Sequence, residues 1–454
     1  METATGSLTD RFLDSHASMA ESYSYIDPEL HKKYNTKRGL RNEDGTGVLI
    51  GLTEIGEVHG YVIDDVEKVP TDGRLFYRGL DVYDIVRGFQ ADQRFGFEEV
   101  VYLLLFGHLP SMAQLEEFKE VLGTYRQLPE SFTEVMILNH ASSDIMNKLA
   151  RSVLALYSYD DDAEDLSVKN VLRQCISLIA MFPGFVAYGY QAKRHYYHEE
   201  SLYIHTPKPD LSTAENLLLM IRPDQKYTRL EAETLDLCLA LHAEHGGGNN
   251  SAFSVHVVSS AATDTYSAIA TGVGSLKGAK HGGASAKVAS MMNDVKANVS
   301  DWGDEEEVAE YLRKVLKGEA HDGSGLIYGI GHAVYTLSDP RAVLLKEKAR
   351  ELAGDKEHIK EFDLYTTVER LAPKLFAEVK KSDKPLAANV DFFSGFVYKL
   401  LNIPEDLYTP IFAVARVAGW SAHRIEELVS GGRIIRPAYK NVVPHRKYVS
   451  LKDR

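Results

Sequence analysis

The amino-acid sequence predicts an all-α fold, and three observations support that prediction. From about residue 81 onward, apolar residues recur every three or four positions, which is the period of an amphipathic helix. Glycine, proline and capping residues stand where these periodic stretches begin or end. Strand-like segments do not alternate with the helical ones, so the sequence does not indicate a parallel α/β sheet.

The first part of the chain has a different character. Residues 1 to about 45 are expected to form a loosely helical or extended arm. Between Gly47 and Tyr77, short β-branched runs such as Val58–Ile63 are broken by glycine and proline. This pattern predicts short strands before the helical region begins.

Several helices are delimited by signals at their ends. Apolar residues at spacings of three and four, as from Val308 to Leu316, mark the buried face of such a helix. Asp339 is a favourable N-cap, and Pro340 suits the first helical position. The clearest helices are expected at 97–106 (ended by Gly107), 308–316 (ended by Gly318), 339–353 (ended by Gly354) and 368–379 (kinked at Pro373).

Composition and charge narrow the class of protein. The 454 residues are 44% hydrophobic, enough for a large core in about two or three domains. A net charge of −14 argues against binding to nucleic acids or anionic membranes, but it is compatible with a local basic pocket for an anionic substrate. Cys175 and Cys238 are the only cysteines, so neither a disulfide framework nor a cysteine zinc site is expected.

No targeting or membrane-spanning segment is expected. The N-terminal segment is polar, contains acidic residues and lacks the apolar region of a signal peptide. No apolar run approaches the roughly 18 residues that a membrane-spanning helix needs. We therefore expect a cytoplasmic protein that contacts no membrane.

The segment Gly329–Arg341, with the sequence GIGHAVYTLSDPR, contains the most informative pair of side chains. His332 follows two glycines that let the backbone come close to a ligand, and Arg341 lies in the first turn of the helix capped by Asp339. A neutral histidine shares a proton with a carbonyl oxygen, and an arginine binds a carboxylate through two parallel hydrogen bonds. This pair suits a small keto acid.

Two further histidine motifs precede this segment. In HAEHGGGN, His242 and His245 are three residues apart, which leaves open a metal site, a structural helix end, or a His245 that faces substrate. The spacing differs from the zinc-peptidase pattern, which disfavours the metal. In KGAKHGG, His281 is expected near the N-terminus of a helix from about Ala284, where the helix dipole keeps the imidazole neutral. It can then stabilise an enolate oxygen, although a loop histidine between glycines is structural about as often.

A carboxylate and three arginines complete the set. Asp391 in NVDFFSG has apolar neighbours, and burial would raise its pKa and make it a better base, unless it merely caps a helix. Arg416 interrupts an apolar helix, where an unpaired charge is costly, so an anionic partner is expected. Arg433 is expected to be solvated, whereas Arg436 lies between an apolar pair and a proline, which fix its direction.

In this order, the motifs HAEHGGGN, KGAKHGG, GIGHAVYTLSDPR and NVDFFSG and the two arginine sites resemble those of the citrate synthase family, in its bacterial form. The resemblance covers most of the chain and is densest from His242 to Arg436. It implies a helical homodimer in which each subunit has a large domain, residues 1–282 and 401–454, and a small domain, residues 283–400, that closes over the substrates. It also implies that Arg436 reaches the active site of the neighbouring subunit.

The resemblance further implies a role for each site residue. Asp391 would remove a proton from the methyl group of acetyl-CoA, His281 would stabilise the enol, and His332 would bind and polarise the ketone of oxaloacetate. The carboxylates of oxaloacetate would be held by His245, Arg341, Arg416 and Arg436. CoA would lie against Ile327, Gly329, Ile330, Gly331, Lys381 and Lys384.

The implied activity is that of citrate synthase, an acyltransferase that condenses acetyl-CoA with oxaloacetate and water in the first step of the tricarboxylic acid cycle. The CoA thioester is a substrate, and neither a cofactor nor a metal is implied. The nearest alternative is a 2-methylcitrate synthase that uses propionyl-CoA. Remote alternatives are a metal-dependent hydrolase using His242 and His245, or a non-catalytic helical scaffold.

Overall fold

The computed structural model describes residues 12–13, 16–17, 19–42, 46–64, 67–332, 334–354, 356–382, 384–430 and 432–454. The chain divides into a short first unit, Met1–Leu52, and a long second unit, Thr53–Arg454. In the first unit, helix α1 (Pro28–Lys33) follows Asp27, whose carboxylate accepts a hydrogen bond from the Glu29 N–H at 2.9 Å. The arm predicted from the sequence is therefore partly helical.

The second unit begins with a small antiparallel sheet. Strand β1 (Gly56–Asp64) pairs with β2 (Glu67–Tyr77), and β2 pairs with the short β3 (Leu80–Asp81). The register shifts between His59 and Tyr61. These strands confirm that β structure precedes the helical region. The prediction that the strands are short is wrong, because β1 and β2 have 9 and 11 residues and β2 continues through Pro70 and Gly73.

Helices make up most of the second unit, which confirms the all-α class. In chain order they are α2 (Val82–Ala91), α3 (Phe97–Phe106), α4 (Met112–Tyr125), α5 (Ile145–Leu156), α6 (Val168–His198), α7 (Thr213–Ile221), α8 (Arg229–His242), α9 (Asn250–Ser259), α10 (Thr265–Lys277), α11 (Ala284–Asn298), α12 (Glu305–Lys317), α13 (Pro340–Ala353), α14 (Lys356–Lys380), α15 (Val390–Leu400) and α16 (Tyr408–Ser430). Helix α16 packs against α6, α8 and α9, and α13 packs against α15. The helices that carry the predicted site residues are therefore neighbours.

The helix ends follow the sequence signals. Gly107 and Gly318 end α3 and α12 in the left-handed conformation, with φ of 82° and 76°, which glycine adopts without steric cost. Asp339 caps α13 by accepting a hydrogen bond from the Arg341 N–H at 3.0 Å, and Pro340 is its first residue. Pro373 lies inside α14, which continues beyond it to Lys380.

Helix α6 is the one helix of the described chain that is long and apolar enough to cross a membrane by length and composition. This finding revises the expectation that no apolar run approaches that length. In its most apolar 18-residue window, 83% is buried inside the structure. A helix that is apolar on all sides and covered by its neighbours is a core helix of a folded domain.

The β-hairpin packs closely against the segment that follows His332. The Gly73 N–H donates to the Ser338 hydroxyl at 3.1 Å, and the Tyr335 hydroxyl donates to the Arg74 carbonyl at 3.4 Å. A Cβ atom on Gly73 would lie 2.1 Å from the Ser338 carbonyl oxygen, and one on Gly60 would lie 2.6 Å from that of Val334. Only glycine permits this approach, so the hairpin packs directly against the backbone of residues 334–338 and supports it.

Gly73→Ala is expected to lower the melting temperature, because the new methyl group forces the hairpin away from the Ser338 carbonyl. Overpacking of this kind costs about 1–3 kcal/mol. Gly88→Ala is the matched control, since Gly88 lies in α2 with open space around its Cβ position. The control should leave stability unchanged or raise it by up to about 1 kcal/mol. A Gly73→Ala protein that melts at or above the wild-type temperature in a calorimetric scan would contradict this packing.

Candidate active site

Six of the residues predicted from the sequence line one cavity of about 190 Å³ in the second unit. They reach it from the end of α8, from the loops before α11 and α13, and from helices α13, α15 and α16. These six are His245, His281, His332, Arg341, Asp391 and Arg416.

Asp391 lies in the first turn of α15 and is not its cap. The cap is Asn389, whose side-chain oxygen accepts a hydrogen bond from the Asp391 N–H at 3.0 Å. The Ser285 hydroxyl donates to Asp391 Oδ1 at 2.5 Å. Burial raises the pKa of Asp391, and the Ser285 hydrogen bond opposes that rise only in part. The carboxylate is thus held by one oxygen and suited to accept a proton on the other.

The tautomer of His332 is set by the backbone beside it. Its Nδ1 accepts hydrogen bonds from the N–H groups of Val334 at 3.0 Å and Tyr335 at 3.1 Å. Because Nδ1 must then carry the lone pair, the ring proton of the neutral imidazole lies on Nε2. The ring also stacks on Tyr335, with centroids 4.8 Å apart. The donor N–H of His332 is therefore at Nε2.

His281 lies three residues before the start of α11, as the sequence predicts. Its Nε2 is 3.0 Å from the Ser251 hydroxyl, which is also 3.2 Å from that of Ser275. Burial lowers the pKa of His281 to about 4, and the charge of Arg416 adds to the effect. The imidazole is therefore neutral at physiological pH.

The two histidines of the HAEHGGGN motif have separate environments. His245 lines the cavity edge-on to His332, with ring centroids 5.3 Å apart, and its Nε2 is buried without a hydrogen-bond partner. His242 instead packs against Phe412, and its Nδ1 is 3.3 Å from the Tyr398 hydroxyl. Among the described residues, the His and acid side chains close enough to share one ion do not include either histidine. The arrangement favours a substrate-facing His245 and gives no support to a hydrolase centred on this pair.

Arg341 is buried and held in place by the cap of its own helix. Its Nε and Nη2 donate to the two carboxylate oxygens of Asp339 at 3.0 and 2.8 Å. Burial alone would lower the pKa of Arg341, but the charge of Asp339 raises it. The guanidinium remains charged and has a fixed orientation at the wall of the cavity.

Arg416 is a buried cation for which the described chain forms no ion pair. Its Nε donates to the His242 carbonyl at 2.6 Å, and its Nη2 is buried without a hydrogen-bond partner. The guanidinium lies 4.6 Å from the Phe412 ring centroid. Burial lowers the pKa of Arg416 to about 10, although the negative charge of Glu244 acts to raise it. The anionic partner expected from the sequence is therefore not among the described side chains, and a bound anion would supply it.

Glu244 anchors the loop that carries His245. Its buried carboxylate accepts a short hydrogen bond from the Gly246 N–H and lies 3.0 Å from His423 Nε2. Burial would raise the pKa of Glu244, but the charge and hydrogen bond of His423, the charge of Arg416 and the Gly246 hydrogen bond together lower it. Burial would lower the pKa of His423, but the carboxylates of Glu244 and Glu426 raise it to about 9. A buried ion pair therefore fixes this wall of the cavity.

Acid is expected to destabilise the protein through its neutral histidines. The pKa of His281 is about 4, and burial lowers the pKa values of His242 and His245 as well. The unfolded imidazoles titrate near pH 6.5. As pH falls from there toward 4, the unfolded state binds more protons than the folded state, so the free energy of unfolding decreases.

His281→Gln tests this assignment because it removes one of the three imidazoles. Its melting temperature should fall less steeply with pH across that window than the wild-type value does. His108→Gln, an exposed imidazole, is the control and should keep the wild-type slope. Equal slopes for wild type and His281→Gln would show that His281 is not held neutral by the fold.

The other predicted contact residues lie outside the cavity. Arg436, Lys381 and Lys384 are exposed. The CoA segment pairs with the residues just before Asp391, through Gly331 N–H to the Ala387 carbonyl at 2.7 Å and Asn389 N–H to the Gly329 carbonyl at 2.8 Å. Ile330 also forms a bridge with Ala388, and Ile327 is buried. The glycines thus let this segment support the Asp391 loop.

Sequence reasoning missed three polar residues of the site. Ser285 holds Asp391, Ser251 contacts His281, and Asn389 joins the Asp391 loop to the Gly331 carbonyl at 3.0 Å. Ser285 follows His281 by four residues at the start of a helix, which was an available signal. Ser251 follows the cap of α9, where serine and asparagine are ordinary, so the sequence did not distinguish it.

Comparison with known proteins gives a consistent result. A family model described as "Citrate synthase, C-terminal domain" matches residues 44–438. A citrate synthase of Synechocystis is 34% identical over 386 residues, which is 85% of this chain and 89% of that protein. A 2-methylcitrate synthase of Shewanella oneidensis is 32% identical over 382 residues, which is 84% of this chain and 92% of that protein.

A solved structure is similar over nearly its whole length. The citrate synthase of Thermoplasma acidophilum, in a ternary complex with carboxymethyl coenzyme A and oxaloacetate, superposes with a TM-score of 0.74 and 26% identity. The match covers 92% of this chain and 99% of that one. The likeness therefore extends to both sequence and fold.

Proposed function

Because the chain belongs to the citrate synthase family, we propose that it condenses acetyl-CoA with oxaloacetate and water to give citrate and CoA, the first step of the tricarboxylic acid cycle. One observation carries the proposal. A single cavity joins a carboxylate of raised pKa, neutral imidazoles and two buried guanidinium groups. This set provides a base, hydrogen-bond donors for developing oxyanions, and clamps for a dicarboxylate.

Oxaloacetate binds first to the cationic side of the cavity in this proposal. One carboxylate of oxaloacetate pairs with Arg416, whose Nη2 has no hydrogen-bond partner in the chain. The other pairs with Arg341, whose orientation is fixed by Asp339. His245 adds a hydrogen bond through its unpartnered Nε2. Binding therefore replaces a costly buried charge with charge-assisted hydrogen bonds.

His332 polarises the ketone. Its Nε2–H, fixed by the two backbone donors on Nδ1, donates to the ketone oxygen of oxaloacetate. When the new carbon–carbon bond forms, negative charge develops on that oxygen, and His332 transfers its Nε2 proton to it. The same geometry that fixes the tautomer therefore makes His332 the acid of the condensation step.

Asp391 and His281 generate the nucleophile together. Asp391 removes a proton from the acetyl methyl group while Ser285 holds its other oxygen. His281 stabilises the enol by donating from Nδ1 to the thioester oxygen, which requires the Ser251 hydroxyl to donate to Nε2 in place of Ser275. A thioester α-proton is too weakly acidic for a carboxylate alone, so this hydrogen bond in a dry site is essential.

The enol carbon then attacks the polarised ketone to give citryl-CoA. Water hydrolyses that thioester, which releases citrate and CoA.

We propose that residues 283–400 close over the substrates to exclude water before condensation, and that a second copy of the chain contributes Arg436 to each site. Segment 327–331, Lys381 and Lys384 are the proposed CoA contacts, and the cytoplasm is the proposed location.

The acyl group distinguishes this activity from that of a 2-methylcitrate synthase. Relatives of both names are similarly distant, at 34% and 32% identity. One methylene is worth about 1–3 kcal/mol in an apolar pocket, or about 10–200-fold in rate. We expect kcat/KM, measured by release of the CoA thiol with oxaloacetate, to be higher for acetyl-CoA than for propionyl-CoA. A clear preference for propionyl-CoA would assign the alternative reaction to this cavity.

A further inference from the structure

A cluster of histidines and glutamates lies behind the loop that carries His245. His256 on α9 and His423 on α16 face each other, with 3.0 Å between His256 Nε2 and His423 Nδ1. Glu426, one turn further along α16, places Oε2 3.6 Å from His423 Nδ1. These three atoms all lie within 4.8 Å of one another. None of the three residues lines the catalytic cavity.

Both imidazoles have a carboxylate on their outer nitrogen. His256 Nδ1 is 2.9 Å from Glu427 Oε2, and His423 Nε2 is 3.0 Å from Glu244 Oε1. Since a carboxylate accepts hydrogen bonds, these two nitrogens carry protons. The facing nitrogens are only 3.0 Å apart, so a cation lies between them: the proton that makes His423 cationic, or a metal ion in its place. A histidine that donates its outer N–H to a carboxylate is also the usual arrangement of a metal ligand.

Glu426 adds a third donor atom. Its Oε1 accepts a hydrogen bond from the Glu54 N–H at 2.8 Å, whereas its Oε2 is buried without a hydrogen-bond partner. The cationic His423 partly offsets the charge of this carboxylate from 3.6 Å, and a metal ion bound by all three side chains would contact Oε2 directly.

We propose that His256 Nε2, His423 Nδ1 and Glu426 Oε2 bind one divalent transition-metal ion of the Zn²⁺ class. Two imidazole nitrogens and a carboxylate oxygen suit Zn²⁺, Co²⁺ or Ni²⁺, whereas Mg²⁺ and Ca²⁺ prefer oxygen ligands only. Three protein ligands leave at least one position for water. The His256 side chain, which is 14% exposed, borders the solvent and gives the ion a route to the site.

The ion takes the place of the proton that the two imidazoles otherwise share, so its binding releases one proton. It is not part of the condensation chemistry. Its role is to hold α9 and α16 together behind the His245 loop: a Cβ atom on Gly247 in that loop would lie 3.4 Å from His423 Cε1. The proposal stands on these side chains and does not depend on which acyl-CoA the enzyme uses.

Isothermal titration of the full-length protein with ZnCl₂, after chelator treatment and buffer exchange, tests the site. We expect one Zn²⁺ bound per chain and no binding of MgCl₂ under the same conditions. His256→Gln and Glu426→Gln should each weaken Zn²⁺ binding at least about 10-fold. His108→Gln, which removes an exposed imidazole elsewhere, should bind as the wild type does.

Replacement of Zn²⁺ by Co²⁺ provides a readout that needs no variant. Ligand-field absorption of wild-type protein with one equivalent of Co²⁺ should indicate nitrogen ligands, and it should disappear when Zn²⁺ is added in excess. Absence of stoichiometric Zn²⁺ binding to the wild type would overturn the proposal, with a shared proton as the only occupant. Binding that is unchanged in folded His256→Gln and Glu426→Gln would overturn it as well.

Discussion

Asp391→Asn is expected to lower kcat for the condensation by about 10²–10⁴-fold and to leave oxaloacetate binding unchanged. The amide is nearly isosteric, and the Ser285 hydroxyl can still donate to its oxygen. It cannot take up a methyl proton, however, so the enol does not form. Oxaloacetate binding depends on the arginines and His245, which the substitution does not alter.

Two measurements separate the effects of this change. Thiol release gives kcat, and titration calorimetry with oxaloacetate gives the dissociation constant. Asp84→Asn is the control, because Asp84 also lies in the first turn of a helix but is exposed and outside the cavity. If Asp391→Asn kept wild-type turnover, another group would have to be the base. If it lost oxaloacetate binding as well, its role would be structural.

Arg416→Met is expected to weaken oxaloacetate binding by about 30-fold to 4,000-fold, the equivalent of about 2–5 kcal/mol for a lost charge pair in a buried site. The same change should not lower the melting temperature of the ligand-free protein. Arg416 is a buried cation with an unpartnered Nη2, and burial lowers its pKa to about 10. An apolar side chain of similar length removes that cost at the loss of one hydrogen bond to the His242 carbonyl.

Arg433→Met provides the matched control for this variant. Arg433 is exposed, and its replacement should change neither binding nor stability. A large fall in melting temperature for Arg416→Met would mean that the guanidinium stabilises the fold. Binding that stays within threefold of wild type would mean that Arg341 and His245 suffice to hold the dicarboxylate.

Local signals made much of the fold predictable. Gly107 and Gly318 end helices as the sequence indicates. A left-handed helix cap favours glycine, so a single residue in the sequence is enough to predict where such a helix ends. The grouping of six predicted residues around one cavity was also predictable, since the order of the motifs resembles that of one family. The helix at Val168–His198 was less clear, because a buried core helix and a membrane span share length and composition.

The sequence could not predict which residues far apart in the chain contact each other. The hydrogen bond from Ser285 to Asp391 joins residues 106 positions apart, and that from His423 to Glu244 joins residues 179 apart. Asp391 also looked equally suited to cap its helix, and only the geometry assigns that task to Asn389. Arg416 was expected to have an anionic partner, and the described chain forms no such pair, because the charge is directed into a binding cavity.

The most direct test of the proposed reaction is to follow the methyl carbon itself. Protein incubated with acetyl-CoA labelled with ¹³C at the methyl carbon and with unlabelled oxaloacetate is examined by ¹³C NMR, beside a sample with Asp391→Asn. We predict that the label appears in a methylene carbon of citrate in the wild-type sample and stays in acetyl-CoA in the variant. Labelled acetate in place of citrate, or citrate formed equally by the variant, would contradict a condensation that begins at Asp391.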